Sequence, residues 1–363
     1  MTDCYDPRRL LCRVAGLVTA HASGRGSFGG FCRSFYRFGR AVALAMALIP
    51  VLALFYGQSG CASPVQVAAP AFPAADTAGS SCGARYPQGI ALQILGSGGP
   101  IADDRRASSG YLVWVQGRAR VLVDIGGGVV LNFAASGAAV EDLQVVVLSH
   151  LHVDHSVDFA ALMKSAYFGE RSEPLPVFGP DGNEYFPGLA QYLSALFGER
   201  GAYRYLGWTL QEGEGPFSLE VHEVAVAGAG EQLILDDLRL SLVGAPHGVV
   251  PALGVRVDVG GRSIAFAGDQ RLDDARFLER IAGVDVLVAH DAIPERSGGP
   301  ARSLHAPPSA IGRAAAAAKV GRLILSHHMI RALRGSTETI AEIRAHYRGP
   351  LLFADDLTCV PLD

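Results

Sequence analysis

Ser149-His150-Leu151-His152-Val153-Asp154-His155 is the stretch on which the reading of this chain turns. It follows Gln144-Val145-Val146-Val147-Leu148, an unbroken apolar run of the kind carried by a strand buried on both faces. A loop leaving such a strand can turn His150 and His152 toward one ion, and Asp154 and His155 toward a second. Imidazole and carboxylate are donors that suit zinc and similar divalent metals. A lone histidine is ordinarily a surface residue or a hydrogen-bonded core residue. Four candidate ligands within six residues are a different signal. Three more follow later strands: His247 after Leu242-Val243, Asp269 after Ala265-Phe266-Ala267-Gly268, and His327 after Leu323-Ile324-Leu325-Ser326. Ligands at strand ends stand on a rigid scaffold.

Strands and helices are expected on both sides of this stretch. Residues 90–95, 111–115 and 119–124 read as strands ahead of it. The helix after it carries Phe159, Leu162 and Met163, and residues 175–180 open another strand–turn–helix unit. In the second half, residues 240–243, 253–257, 263–267, 284–288 and 323–325 are expected strands, and 309–319 an alanine-rich helix. Two similar halves of this kind predict an α/β fold with a sheet-on-sheet core and helices outside.

Composition sets the class. The 363 residues are 49% hydrophobic and 18% charged, as in a globular chain and unlike a disordered one. The net charge of −4 is unevenly spread. Residues 1–61 hold seven of the 31 Lys and Arg and two of the 35 Asp and Glu, leaving 24 basic and 33 acidic groups in the remainder. A body that acidic is expected to exert no general pull on nucleic acid.

The basic residues Arg33, Arg37 and Arg40 precede an apolar run at 41–55, the pattern of a secretory signal. The run is short for a membrane span and is interrupted by Pro50. Ser59-Gly60-Cys61 resembles a bacterial lipobox with Cys61 as the lipidated residue, although Gln58 stands where an aliphatic residue is usual. The expected organisation is a targeting segment at 1–61, a flexible linker rich in Ala, Pro and Ser at 62–85, and a single catalytic domain at 86–363. The expected location is outside the cytoplasm: periplasmic, or attached to the membrane through the N-terminal segment or Cys61 and facing the periplasm. After processing at Cys61 only Cys82 and Cys359 remain. They can form one bridge joining the two ends in an oxidising compartment, or stay as free thiols.

With these residues in view, Ser149–His155 is similar to the His-x-His-x-Asp-His signature of the metallo-β-lactamase superfamily. Val123-Asp124-Ile125-Gly126-Gly127-Gly128 resembles its first motif, in which the aspartate supports the metal loop. His247, Gly268-Asp269 and Ser326-His327 resemble the remaining metal motifs, so the likeness runs through residues 90–358. It implies a four-layer αββα sandwich and two Zn2+ ions, other divalent metals being compatible with the same donors. By this resemblance His150, His152 and His247 hold one ion, Asp154, His155 and His327 the other, and Asp269 bridges them. Pro246-His247-Gly248, followed by Leu253-Gly254-Val255, resembles the third motif of the ribonuclease Z-like and arylsulfatase-like branches. Leu304-His305-Ala306-Pro307-Pro308 resembles the segment in which those branches carry an extra histidine. His305 is therefore the candidate general acid, and Asp154 the residue expected to orient the attacking hydroxide. Adjacent His328 is expected to point away from the site, because neighbours on an extended end face opposite ways. His290 and Asp291 read as supporting or structural residues.

The implied activity is that of a binuclear zinc-dependent hydrolase. Its metal-bridging hydroxide would attack a phosphodiester or sulfate ester, since zinc lowers the pKa of water from 15.7 toward about 7. The alternatives are a tRNA 3′-processing endoribonuclease of the ribonuclease Z kind, a lactonase or other ester hydrolase, and, last, a non-catalytic metal-binding protein. The long insertion that serves as a tRNA-grasping arm in short ribonucleases Z has no counterpart here: His247 and Asp269 lie only 22 positions apart. The expected partner is accordingly a small-molecule ester and not a nucleic acid. Arg105, Arg106, Arg271 and Arg331 are candidate anion contacts.

Overall fold

The computed structural model describes residues 81–362. The expected targeting segment, including Cys61, and the linker as far as residue 80 lie outside the described residues. Six strands form most of a first sheet: β1 (Ile90–Gly96), β2 (Gly110–Val115), β3 (Arg118–Val123), β4 (Val145–Val147), β5 (Leu175–Pro180) and β6 (Leu219–Val224). A second sheet holds β7 (Glu231–Leu235), β8 (Leu238–Gly244), β9 (Leu253–Val259), β10 (Arg262–Phe266), β11 (Val286–His290), β12 (Arg322–Ser326) and β13 (Leu351–Phe353). The last strand, β14 (Cys359–Pro361), returns to the first sheet beside β1. The strand orders are β14-β1-β2-β3-β4-β5-β6 and β13-β12-β11-β10-β9-β8-β7.

Period-two alternation sorts the side chains into layers. From β4, Val145 and Val147 enter the core between the sheets, while Val146 faces the helices outside the first sheet. From β12, Ile324 faces the inter-sheet core, and Leu323 and Leu325 face the helices outside the second. The first sheet is associated with α1 (Cys82–Arg85), α2 (Val129–Ala135), α3 (Val153–Ser156), α4 (Phe159–Ala166) and α5 (Leu189–Phe197). The second is associated with α6 (Ala275–Arg280), α7 (Gly299–Leu304), α8 (Pro308–Ala317), α9 (Ile330–Leu333) and α10 (Ser336–Arg344). The alanine-rich α8 lies close to α10: a Cβ on Gly312 would stand 2.8 Å from the Ile343 carbonyl oxygen. The four-layer sandwich expected from the sequence is the observed fold.

Several elements differ from expectation. The last four residues of the expected linker are α1, capped by the Ser81 hydroxyl, which accepts from the Ala84 N–H. This turn is ordered because Cys82 is fully buried and bonded to Cys359, with Cα atoms 5.7 Å apart. Strand β11 spans residues 286–290 instead of 284–288. Asp285 stands at a bend ahead of the strand, where its carboxylate accepts from the backbone and hydroxyl of Ser263. His290 thereby becomes the final strand residue, on the inter-sheet face with Val286 and Val288. Finally, β6, β7, β13 and β14 were not expected. They are edge or near-edge strands, short or strongly polar, and their apolar signal is weak.

Candidate metal centre

Parallel neighbours bring their C-terminal ends to one edge of the sandwich. Strands β3 and β4 are parallel, as are β10, β11 and β12. Strand β8 runs with β10, because both are antiparallel to β9. The loops that follow these ends carry the candidate ligands.

The metal loop is held from below. Asp124, immediately after β3, has φ of 60°, a left-handed conformation that aspartate tolerates better than most residues. One of its oxygens accepts from the Ser149 N–H at 2.7 Å. The other accepts from the Ser149 hydroxyl and from His155 Nδ1, both at 2.8 Å. Gly126 lets the same segment pass beneath α3, since a Cβ there would stand 2.1 Å from the Asp154 carbonyl oxygen. On the other side, the Ser149 carbonyl accepts from the Leu253 N–H at 2.8 Å, tying the metal loop to the second sheet.

Two groups of donors result. His150, His152, His247 and Asp269 place one ligand atom each within 4.8 Å of one another, and so do His155, Asp269, His290 and His327. Asp269 belongs to both. Its Oδ2 lies 3.8 Å from His150 Nε2 and 3.7 Å from His247 Nε2, and its Oδ1 lies 3.4 Å from His327 Nε2. Asp154 Oδ2 lies 3.2 Å from His327 Nε2 and 3.5 Å from His155 Nε2. The structure therefore brings all seven sequence-predicted ligands together; the first group is the set expected with Asp269, while the second contains His290, which was not expected, with Asp154 standing beside His155 and His327.

The donor set fits divalent metal. His247 Nδ1 donates to the Leu304 carbonyl and His155 Nδ1 to Asp124, which turns each Nε2 toward the centre. Both Nε2 atoms are buried without a hydrogen-bond partner. Burial and the neighbouring rings hold His150 well below the ordinary imidazole value, and they lower His152 and His247 as well. Neutral rings are what a metal requires. At His155, burial opposes charge, but the Asp124 carboxylate beside it wins and raises the ring well above its ordinary value. At Asp269, burial is outweighed by His327, His290, His155 and His305, and the carboxyl is held well below its usual range.

His305 follows α7 and faces the same carboxylate, with Nδ1 3.7 Å from Asp269 Oδ1 and no hydrogen-bond partner. Its ring centroid is 5.4 Å from that of His247 and 5.8 Å from that of His327. Burial pushes it down to about 4. His327 itself has φ of 61°, a strained conformation for a residue with a Cβ, at the turn that swings its ring inward. His328 leads the other way: its Nε2 donates to the Leu325 carbonyl and its ring stacks on Phe353.

His290 lies closer to the centre than the sequence indicated. Its Nδ1 is 2.6 Å from Asp269 Oδ1, and its Nε2 is 2.9 Å from the Tyr111 hydroxyl. Tyr111 was missed: within an apolar strand run nothing distinguishes it from core. Of the candidate anion contacts, Arg106 is engaged by Asp104 and Asp355, and Arg271 by Asp273. Arg105 and Arg331 are exposed, and the charge of Arg331 reaches His305.

The sequence family agrees with this centre. The family model described as the beta-lactamase superfamily domain matches residues 119–328. The chain is 31% identical over 254 residues to a ribonuclease Z from Mycobacterium sp. (strain KMS), which covers 66% of this chain and 84% of that protein.

The chain belongs to the metallo-β-lactamase superfamily, on its ribonuclease Z-like branch.

Solved structures of this superfamily share its fold. Human tRNase Z, short form, superposes with a TM-score of 0.59 at 17% identity, covering 75% of this chain and 99% of that one. The metallo-beta-lactamase fold protein YhfI from Bacillus subtilis does so with a TM-score of 0.57 at 19% identity, covering 76% and 99%. The chain is thus a metal-dependent hydrolase of this superfamily. The kinship with ribonucleases overturns the expectation of a small-molecule ester and no nucleic acid. That expectation weighed the summed charge of the body and the absence of one insertion. Summed charge does not decide binding at a local cleft.

Proposed function

We propose that this chain is a binuclear zinc phosphodiesterase that cleaves RNA in the manner of a ribonuclease Z. The observation that carries the proposal is a single buried carboxylate, Asp269, shared by two four-residue donor groups, with His305 facing it through an Nδ1 that has no hydrogen-bond partner. The ribonuclease Z relatives supply the substrate class.

When bound, two zinc ions supply Lewis acidity: they polarise a phosphate oxygen and make water nucleophilic at neutral pH. The remaining work falls to the chain. Asp154, held well below the usual carboxylate range, offers an anionic oxygen that orients the attacking water. His305 stands beside the cleft to give a proton to the departing oxygen. In the resting protein it is neutral, and a phosphate anion seated beside it would raise its affinity for that proton.

The rim also suits a nucleotide. The Phe186 ring centroid lies 5.9 Å from that of His152, and Tyr185 beside it is exposed. Asn183 fixes this turn by accepting from the Tyr185 and Phe186 N–H groups and by donating to the Val249 carbonyl. Aromatic faces at such a rim stack on bases. Between His247 and Asp269 there is only the loop to β9 and the hairpin β9–β10. The grip on RNA must therefore come from this rim and other surfaces.

We infer export as well. It is supported by the basic and apolar pattern at 33–55 and by the Cys82–Cys359 disulfide, a bond that persists in oxidising compartments.

The test uses full-length protein loaded with zinc. The substrates are a 3′-extended tRNA precursor, a short single-stranded RNA, and p-nitrophenyl phosphodiester and sulfate esters. Cleavage of at least one RNA that is abolished by chelator and restored by zinc is expected. Zinc-loaded protein that turns over an ester but neither RNA would refute the proposal.

A further inference from the structure

We propose that Tyr111 is a positioning residue for the metal centre: acting through His290, it fixes the carboxylate of Asp269 that both donor groups share. This rests on the binuclear reading above.

The geometry follows from strand register. On β2, alternation sends Tyr111 and Val113 into the inter-sheet core. On β11 it sends Val286, Val288 and therefore His290 to the same core, and on β12 it sends Ile324 and Ser326 there. The Tyr111 hydroxyl from the first sheet thus meets His290 Nε2 at 2.9 Å and Ser326 Oγ at 3.1 Å, both at strand ends of the second sheet. All three side chains are buried.

The protons can be placed. An ionised carboxylate only accepts, so at 2.6 Å His290 Nδ1 carries the hydrogen given to Asp269 Oδ1. A neutral His290 then has a bare Nε2, and the Tyr111 hydroxyl is the donor within reach of it. The hydroxyl of Ser326 can rotate to serve the tyrosine oxygen. Asp269 therefore selects the tautomer of His290, the Tyr111 hydroxyl holds the ring in place by occupying Nε2, and the Nδ1–H directs one lone pair of Asp269 Oδ1. This leaves Oδ2 turned toward His150 and His247, and keeps Oδ1 toward His327. Without the hydroxyl, Nε2 would be buried and unpartnered. Moving the proton to Nε2 would not relieve that, because the N–H there would lack the Tyr111 oxygen and the donor to Asp269 would be lost, so the ring is left free to turn or shift from its place. A shifted ring loosens Asp269 Oδ1, the carboxylate oxygen that the second donor group shares.

Groups that orient metal ligands typically affect metal affinity by about 10–100-fold. The test compares full-length wild type, Tyr111→Phe, His290→Asn, His290→Ala and the Tyr111→Phe/His290→Asn double variant. The readouts are zinc and cobalt affinity by chelator competition, the visible spectrum of the cobalt-loaded protein, and the Tm of the metal-free protein. Tyr111→Phe is expected to weaken metal binding by at least tenfold and to change the cobalt spectrum. His290→Asn is expected to keep near-wild-type affinity, because its amide N–H replaces Nδ1–H, and adding Tyr111→Phe to it should cost nothing further. His290→Ala should lose affinity as Tyr111→Phe does. A Tyr111→Phe protein with lowered Tm but wild-type metal affinity and spectrum would show a purely structural role and overturn the inference. Should Tyr111→Phe not fold, equal affinities in His290→Asn and His290→Ala overturn it. Wild-type protein that binds no metal would remove the binuclear reading itself, and this inference with it.

Discussion

Asp124→Asn tests the scaffold beneath the proposed metal loop with a change of one atom. Asparagine tolerates the left-handed backbone at this position, so the fold should survive. Its carbonyl oxygen can keep the bond from the Ser149 N–H. Its amide nitrogen then replaces the oxygen that accepts from the Ser149 hydroxyl and from His155 Nδ1. The serine hydroxyl can rotate and accept. His155 cannot adapt without consequence, because its Nδ1–H would face another donor. It must shift its proton to Nε2, the atom with no partner that points between Asp154 and Asp269. That places a hydrogen where a metal would sit. The lost interaction is a charged hydrogen bond worth roughly 1.5–3 kcal/mol. This corresponds to about 10–100-fold in affinity, at a factor of ten per 1.4 kcal/mol. Chelator competition on the two metal equivalents should show one held as in wild type and the other weakened by that factor. If both are held as tightly as in wild type, His155 is not a ligand in the tautomer described, and the reasoning fails.

Other consequences can be measured independently. His305→Ala should leave metal content unchanged and cut turnover of poor-leaving-group phosphodiesters by about 10²–10⁴, with a much smaller effect on p-nitrophenyl esters. Equal losses on both substrate types would exclude proton donation. Asp291 is fully buried with no hydrogen bond to either oxygen and His328 Nδ1 3.8 Å from Oδ2, and burial pushes it up to about 7. Its folded pKa exceeds the unfolded one, so its contribution is complete below about pH 4 and is lost as pH rises to about 7, at about 1.4 kcal/mol per unit. Asp291→Asn should therefore raise Tm more at pH 8 than at pH 5, and an equal gain at both would contradict this sign. Replacing Cys82 and Cys359 by alanine should cost about 2–5 kcal/mol of stability, read as a lower unfolding midpoint in denaturant. Metal content per folded molecule should be unchanged, since neither residue belongs to the donor groups.

The histidine-rich loop and the strand-end residues were legible because their chemistry is local. Four donors in six residues after an apolar run, and three more each following a strand, need no knowledge of which strands are neighbours. The same holds for β4, whose three valines announce burial on both faces. The edge strands β7, β13 and β14 were less legible because pairing on one side, not apolar content, makes them strands. His305 came from a motif, but its approach to Asp269 depends on where α7 ends.

By itself, the sequence carried the seven candidate donors and the layered architecture, since these follow from residue type, position after strands and hydrophobic period; the division of the donors between two ions came from the family resemblance. Only the tertiary structure decided that Tyr111 and His290 belong to the centre. Tyr111 lies 179 positions from His290 and on the opposite sheet. Its apolar neighbours disguise it as core, and His290 is placed beside it because β11 runs on to residue 290 instead of ending at 288. Hydrogen bonds across a sandwich depend on register and sheet packing, and neither is encoded in any local stretch of the chain.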